Sequence, residues 1–257
     1  MGVLNITPDS FYDGGKHKNE SDVLLHVEKM LSEGATFIDI GAYSSRPNAD
    51  HIMEDEELKR ILPIVNLILK KFPETLLSID TFRSQVAKQC IEAGAALIND
   101  ISAGKLDENM LRTVADLKVP YIIMHMKGTP QNMLKQTAYN NVIKDVLLYF
   151  SERMAAAKQL GIIDIIVDPG FGFAKTREQS FELLNHLELF KIIEKPILVG
   201  VSRKSMIYKT LETIAENALN GTTVLNTVAL QKGASILRVH DVKEAMECIA
   251  LVEALSC

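Results

Sequence analysis

The segment Ile91-Glu92-Ala93-Gly94-Ala95-Ala96-Leu97-Ile98-Asn99-Asp100-Ile101 decides how the chain is read. It leaves the last turn of an amphipathic stretch through a glycine suited to the position beyond a helix C-cap, then enters a short apolar run that stops on two polar side chains. The same punctuation recurs at Glu33-Gly34-Ala35, Leu160-Gly161 and Lys232-Gly233-Ala234. Working outward, β-rich runs fall at residues 2–4, 37–40, 76–79, 96–98, 121–124, 164–167, 197–199 and 235–237, with helical patterns at 23–32, 54–71, 85–93, 140–160 and 220–232 between them. Alternation of this kind predicts eight strand–helix units on a parallel sheet. The count favours a closed (β/α)8 TIM barrel over an open doubly wound sheet, which would show the same alternation.

The 257 residues suit one domain over 1–257, with no Ser/Gly-rich linker to divide it. The first strand starts at the second residue, which leaves room for an amino-terminal segment missing from this chain. A net charge of -5 excludes the broad basic field that nucleic-acid binding needs, so an anionic ligand has to be held locally. Cys90, Cys248 and Cys257 form an odd set without metal or redox spacing, as expected of reduced thiols in a cytoplasmic protein. No apolar run approaches the roughly 18 residues of a membrane span, and a soluble protein is expected.

Nearly every predicted strand ends in a polar side chain: Asn5, Asp39, Asp80, Asn99 with Asp100, His125, Asp168, Ser202 with Arg203 and Lys204, and Arg238 with His240. One such residue reads equally well as a helix cap. A ring of them around the carboxyl ends of barrel strands reads as a ligand site, because burying that many polar groups is costly without something to recognise. Asp80, Asn99, Asp168 and Lys204 offer acceptors and donors for a flat heterocycle carrying amino and carbonyl groups. Arg238 and His240, two apart on an extended strand, point to one face and with Asn5 suit a phosphate or diphosphate; the alternative is a surface ion pair with Asp241 or Glu244. Met124 and Phe173 read either as core or as walls beside a ligand ring. The loops at 6–20 and 42–53 exceed the usual two to six residues and are expected to cover the mouth.

Taken in order, Asn5-Ile6-Thr7-Pro8-Asp9-Ser10-Phe11, Asp39-Ile40-Gly41, Ser44-Ser45-Arg46-Pro47, Ser78-Ile79-Asp80-Thr81, Asn99-Asp100-Ile101, Met124-His125-Met126, Asp168-Pro169-Gly170-Phe171-Gly172-Phe173, Ser202-Arg203-Lys204-Ser205 and Arg238-Val239-His240-Asp241-Val242 resemble the dihydropteroate synthase family over almost the whole chain. The resemblance implies a transferase of folate biosynthesis that condenses a dihydropterin pyrophosphate with p-aminobenzoate and is a target of sulfonamides. It implies a pterin pocket of Asp80, Asn99, Asp168 and Lys204 lined by Ile101, Met124 and Phe173, with Asp80, Asp168 and Lys204 as the catalytic set. It places diphosphate on Asn5, Arg238 and His240 with Ser45 and Arg46, and Mg²⁺ on the diphosphate with Asn5 as its protein ligand. Aminobenzoate is implied near Phe11, Ser45, Arg46, Pro47, Phe173, Ser202 and the helix start at Lys204. It also implies a homodimer, for which Ala245, Ile249, Val252 and Leu255 of the last helix are candidates. The second loop departs from the family's Gly-Glu-Ser-Thr-Arg-Pro-Gly, with Tyr43 in place of Glu and Asn48 in place of Gly, which bears on loop conformation and aminobenzoate affinity. A methyltetrahydrofolate methyltransferase and a non-catalytic pterin-binding paralogue are the alternative readings. The first lacks this combination of motifs, and the second is expected to lose Asn5, Arg46, Lys204, Arg238 or His240, all present here.

Overall fold

The computed structural model describes residues 1–6, 16–44 and 51–255. Eight strands, β1 (Gly2–Asn5), β2 (Phe37–Gly41), β3 (Leu76–Asp80), β4 (Leu97–Asp100), β5 (Tyr121–Met124), β6 (Ile165–Asp168), β7 (Leu198–Val199) and β8 (Ile236–Leu237), alternate with helices. The helices are α1 (Lys16–Ser32), α2 (Glu54–Lys71), α3 (Ser84–Glu92), α4 (Met110–Leu117), α5 (Val142–Gln159) and α6 (Arg177–Asn185). After β7 come α7 (Ser205–Tyr208) and α8 (Leu219–Gln231), and α9 (Val242–Ala254) follows β8. The strands from β1 to β6 pair in sequence order, and β7 pairs with β8, all parallel.

Two parallel bridges turn the sheet into a barrel. Val167 of β6 meets Ile197 at the start of β7, and Gly2 of β1 meets Val239 just past β8. Val3 N–H donates to the Val239 carbonyl and Val239 N–H to the Met1 carbonyl, both at 3.0 Å, which leaves the first and last strands without an open edge. The closed (β/α)8 barrel expected from the sequence is therefore the fold, and the doubly wound alternative is excluded.

The glycines that mark the units, Gly34, Gly94, Gly161 and Gly233, all have φ between 83° and 109°, the left-handed region where a side chain is strained. The structure departs from the periodicity at α1, which starts at Lys16 although the pattern begins at 23. Residues 16–22 include no apolar side chain to mark a face, so the expected loop of 6–20 loses its last five positions to helix.

Strand alternation sorts the barrel into layers. Outward residues such as Ile38, Ile40, Leu77, Ile79, Ile98, Ile123 and Val167 form the main core with the helices. Inward residues Leu97, Ile122 and Leu198, with Phe37, Ile166 and Ile236 against them, form an apolar floor. One pleat toward the carboxyl ends the inward positions change character, to Asp39, Ser78, Asn99 and Arg238, and beyond them Asp80, Met124 and Asp168. The apolar floor thus supports a polar interior that opens at the mouth.

Candidate active site

The centre of that interior is Asp39, fully buried in the third position of β2. Its carboxylate accepts the Ser78 hydroxyl at 2.5 Å, the Asn99 side-chain amide at 3.1 Å and Arg238 Nε at 2.6 Å. Arg238 also donates from its terminal nitrogen to Asp80 at 2.9 Å. Four strands are joined in this way by one cation between two acids, and charges so buried persist because each is paired and hydrogen-bonded.

Burial pushes the Asp80 carboxyl up to about 7; Arg238 opposes that rise and Asp39 adds to it. Asp168 is likewise raised by burial, with Lys204 and the Gly170 N–H holding it back. Burial works against the charged form of Arg238, but Asp39 and Asp80 outweigh it and its pKa rises. Lys204 is pulled by burial down to about 8, against the attraction of Asp168. Its ammonium donates to the Phe171 carbonyl at 2.7 Å and lies 4.9 Å from the centre of the Phe173 ring. Asp80 and Lys204 thus have titrations displaced toward neutrality, in opposite directions, at one mouth.

Ile101, Met124 and Phe173 fall together in a small apolar cluster with Met126, Met133, Ala174, Phe82 and Leu106, separate from both the main core and the floor. Asn5 ends β1 beside Gly41, half-buried. Ser202 Oγ accepts the His240 N–H at 3.2 Å and lies 3.0 Å from its Nδ1. The structure brings Asp80, Asn99, Asp168, Lys204 and Arg238 into one array with this cluster beside it. Phe11, Ser45, Arg46 and Pro47 lie outside the described residues.

Some of the polar strand ends face away. Asp100, next to Asn99, accepts Ser102 N–H and Oγ at 2.7 Å, Gly104 N–H at 2.6 Å and Tyr121 Oη at 2.6 Å, which marks it as a turn-holding group. His125 follows Met124 outward, packs edge-on against Tyr149 at 4.7 Å, and is held neutral by burial and Lys175. Arg203, which has a left-handed backbone, grips Asp241 with two 2.8 Å bonds. Asp241 is therefore the partner of Arg203, while Arg238 pairs with Asp39 and Asp80. The helix after Lys204 is a single turn, and the Lys204 N–H is already spent on the Val201 carbonyl at 3.1 Å, so its end is a weaker anion seat than a long helix would give. On the last helix Ala245 is buried and Ile249 packs on the core, while Leu255 is exposed.

Asp39, counted in the ring of polar strand ends but given no role of its own there, completes the site with Ser78 and Lys175. Asp39 and Ser78 were legible as inward positions by their two-residue offset from the floor. Lys175 had no such signal. Its buried amino group reaches the Gly170 carbonyl at 2.9 Å, the Phe173 carbonyl at 3.0 Å and His125 Nδ1 at 2.8 Å, with the His125 carbonyl farther off at 3.4 Å, and burial pulls its pKa well below the usual lysine value. It binds the segment that contains Asp168 and Phe173 to the end of β5. In that segment Gly170 has φ +71°, and a Cβ there would lie 2.2 Å from the His125 carbonyl oxygen.

A family model described as pterin binding enzyme matches residues 1–240. The dihydropteroate synthase of Escherichia coli K12 is 40% identical over 256 residues, covering 99% of this chain and 90% of that protein. The structure of Yersinia pestis dihydropteroate synthase with a sulfonamide drug complex superposes with a TM-score of 0.93 at 40% identity, over 99% of this chain and 93% of that one. Xanthomonas albilineans dihydropteroate synthase with 4-aminobenzoic acid gives 0.92 at 36% identity, over 100% and 92%.

Proposed function

The chain belongs to the family of pterin binding enzymes, and from that premise we propose how its barrel mouth joins 6-hydroxymethyl-7,8-dihydropterin pyrophosphate to p-aminobenzoate. The activity is that of a dihydropteroate synthase, a transferase step of folate biosynthesis. The observation that carries the site assignment is the buried array of Asp39, Asp80, Asn99 and Arg238, capped by Lys204 over Phe173. A flat heterocycle with an amino-pyrimidinone edge finds carboxylate acceptors in Asp80 and Asp168, the amide of Asn99, and an ammonium donor in Lys204. Ile101, Met124 and Phe173 provide the apolar walls that exclude water from its faces.

Diphosphate would occupy the outer rim, on Asn5, Arg238 and His240. Arg238 has five N–H donors and spends two on Asp39 and Asp80, so it can meet a phosphate oxygen while still neutralising the acids below. The family resemblance assigns Ser45 and Arg46 to diphosphate as well, and Phe11, Pro47 and Ser202 to aminobenzoate. The C–O bond to diphosphate breaks with its charge held by the cations, and the resulting pterin cation is delocalised over the ring. The aniline nitrogen attacks the methylene, forms the C–N bond and gives up a proton to solvent. Catalysis here is positioning and electrostatic stabilisation, with no covalent enzyme intermediate.

Mg²⁺ fits this donor set only in company with diphosphate. Among the described residues no cluster of three His, Cys, Asp or Glu could hold a metal, and Asn5 offers one amide oxygen. That suits a hard ion that keeps its waters and relies on substrate oxygens. When bound, it would offset charge on the departing diphosphate.

Sulfonamides are expected to compete at the aminobenzoate side. Among the described residues no helix is long and apolar enough to cross a membrane, and a cytoplasmic setting suits the free thiols of Cys90 and Cys248. The exposed Val224 of α8 and Leu251 and Leu255 at the end of α9 offer a surface for a homodimer. Sedimentation showing a monomer at micromolar concentration would remove that part. The site assignment is tested by chromatography of dihydropteroate formed by the wild type and by Lys204→Met. Equal rates from both would overturn it.

A further inference from the structure

Residues 169–175 connect Asp168, the last residue of β6, to Thr176, the N-cap of α6. This connection supplies or supports three parts of the pocket. Gly170 N–H donates to Asp168 Oδ1 at 2.8 Å, the Phe171 carbonyl accepts the Lys204 ammonium at 2.7 Å, and the Phe173 ring has its centre 4.9 Å from that same nitrogen. No strand or helix spans it. Gly170, Gly172 and Ala174 take φ of 71°, 78° and 50°, and for Ala174 that left-handed backbone is strained. A path of this kind persists only where its surroundings over-determine it.

Lys175, 4% exposed, turns its amino group back onto the connection. It donates to the Gly170 carbonyl at 2.9 Å and the Phe173 carbonyl at 3.0 Å, and meets His125 Nδ1 at 2.8 Å. A protonated group donates all three bonds, whereas a neutral one donates to the carbonyls and accepts from the imidazole; in both states the two carbonyls are held. His125 is itself fixed, its backbone N–H on the Asp168 carbonyl at 3.0 Å and its ring edge-on to Tyr149. Tyr139 and Ser180 hold the Ala174 carbonyl and the Gly172 N–H, and neither reaches Gly170 or Phe173. Packing alone does not call for an amine here, because a methionine has similar length and is easier to bury. What the amine adds is direction, at the two residues that flank the Phe171 carbonyl.

We infer that Lys175 is a positioning residue for the pterin ring: by holding the Gly170 and Phe173 carbonyls it sets the Asp168 carboxylate, the Phe173 ring and, through the Phe171 carbonyl between them, the Lys204 side chain. The inference rests on the reading that Asp168, Phe173 and Lys204 receive the pterin. The hydrogen bonds of the Lys175 amino group go to His125, Gly170 and Phe173, and none goes to Asn5, Arg238 or His240 on the diphosphate side. The two halves of one substrate should therefore respond differently when the clamp is removed.

The test is equilibrium titration of Lys175→Met with 6-hydroxymethylpterin, and separately with inorganic pyrophosphate, at a temperature where thermal unfolding shows the variant folded. Lys175→Gln, which keeps an amide donor on a shorter side chain, takes its place if the methionine variant does not fold. Phe190→Leu serves as the control for lost stability, since Phe190 is fully buried in the main core and packs on Phe150 away from the mouth. The Kd for 6-hydroxymethylpterin should rise about tenfold or more in the Lys175 variant, within the range of one or two lost hydrogen bonds. The Kd for pyrophosphate should stay within about twofold, and the control should keep both values, as expected of sites without shared partners. An unmoved pterin Kd, an equal rise for both ligands, or the same pterin loss in Phe190→Leu would overturn the inference. Wild-type protein that binds no 6-hydroxymethylpterin would instead defeat the underlying reading of the pocket and this inference with it, so the two failures are distinguishable.

Discussion

Replacing Arg238 with Met removes the one cation between Asp39 and Asp80 and leaves a side chain of similar reach. Asp39 is fully buried and Asp80 16% exposed, with contacts of 2.6 and 2.9 Å to the guanidinium. Breaking a buried pair by deleting one partner typically costs about 3–5 kcal/mol. Asp39 keeps its bonds from Ser78 and Asn99, so the lower end, about 3 kcal/mol, is expected here. For a chain of this length that lowers Tm by about 6–12 °C. The sign with pH follows from Asp80. Its folded pKa of about 7 is already above its ordinary value, and loss of the cation raises it further. Stability of the variant is then fullest below the unfolded carboxylate range and is lost as pH rises through the raised folded value. The assay is thermal unfolding of wild type and Arg238→Met from pH 5 to 9. A gap that widens toward alkaline pH supports the paired-charge interior. A variant as stable as the wild type across the whole range would refute it.

The same charges set the activity profile. With ionised Asp80 and protonated Lys204 both needed, kcat/KM for the pterin substrate should fall below pH of about 7 and again above about 8. Arg238→Met should move both limbs to higher pH, because Arg238 lowers both pKa values, and unmoved limbs would detach these residues from the reaction. Gly170→Ala places a Cβ against the His125 carbonyl at positive φ and should cost about 2 kcal/mol or more in urea unfolding together with pterin affinity. Lys175→Met leaves the Gly170 and Phe173 carbonyls without their donor; a loss of about 2–4 kcal/mol is expected by the same measurement. Cys90→Ala should keep turnover within about twofold, since burial pushes that thiol up to about 12 and it lies in the helix core. Inactivity of that variant would count against the non-covalent mechanism.

The eight-unit fold was legible because every helix-ending glycine precedes an apolar strand, and those glycines do adopt the left-handed backbone the sequence called for. Closure was expected from the count of eight units alone; the contact that makes it, Gly2 with Val239, was not legible, because it joins the two ends of the sequence. In the site, chemistry alone could not separate neighbours such as Asn99 from Asp100, Met124 from His125, or Lys204 from Arg203. For the first two pairs the two-residue period was the missing discriminator, since the inward residue is the one in phase with Leu97 or Ile122 of the floor. For Lys204 the separation comes from the left-handed Arg203, which a sequence does not announce. Lys175 carries no signal in the sequence, because His125, one of its partners, lies 50 residues away and reaches it only on folding.

Incubation of the purified protein with 6-hydroxymethyl-7,8-dihydropterin pyrophosphate, p-aminobenzoate and Mg²⁺, with dihydropteroate and diphosphate both quantified, tests the function most directly. One dihydropteroate for each diphosphate released, abolished when p-aminobenzoate is omitted, is the predicted result. Tight pterin binding with no dihydropteroate formed would contradict it and make the barrel mouth a binding site without the transfer.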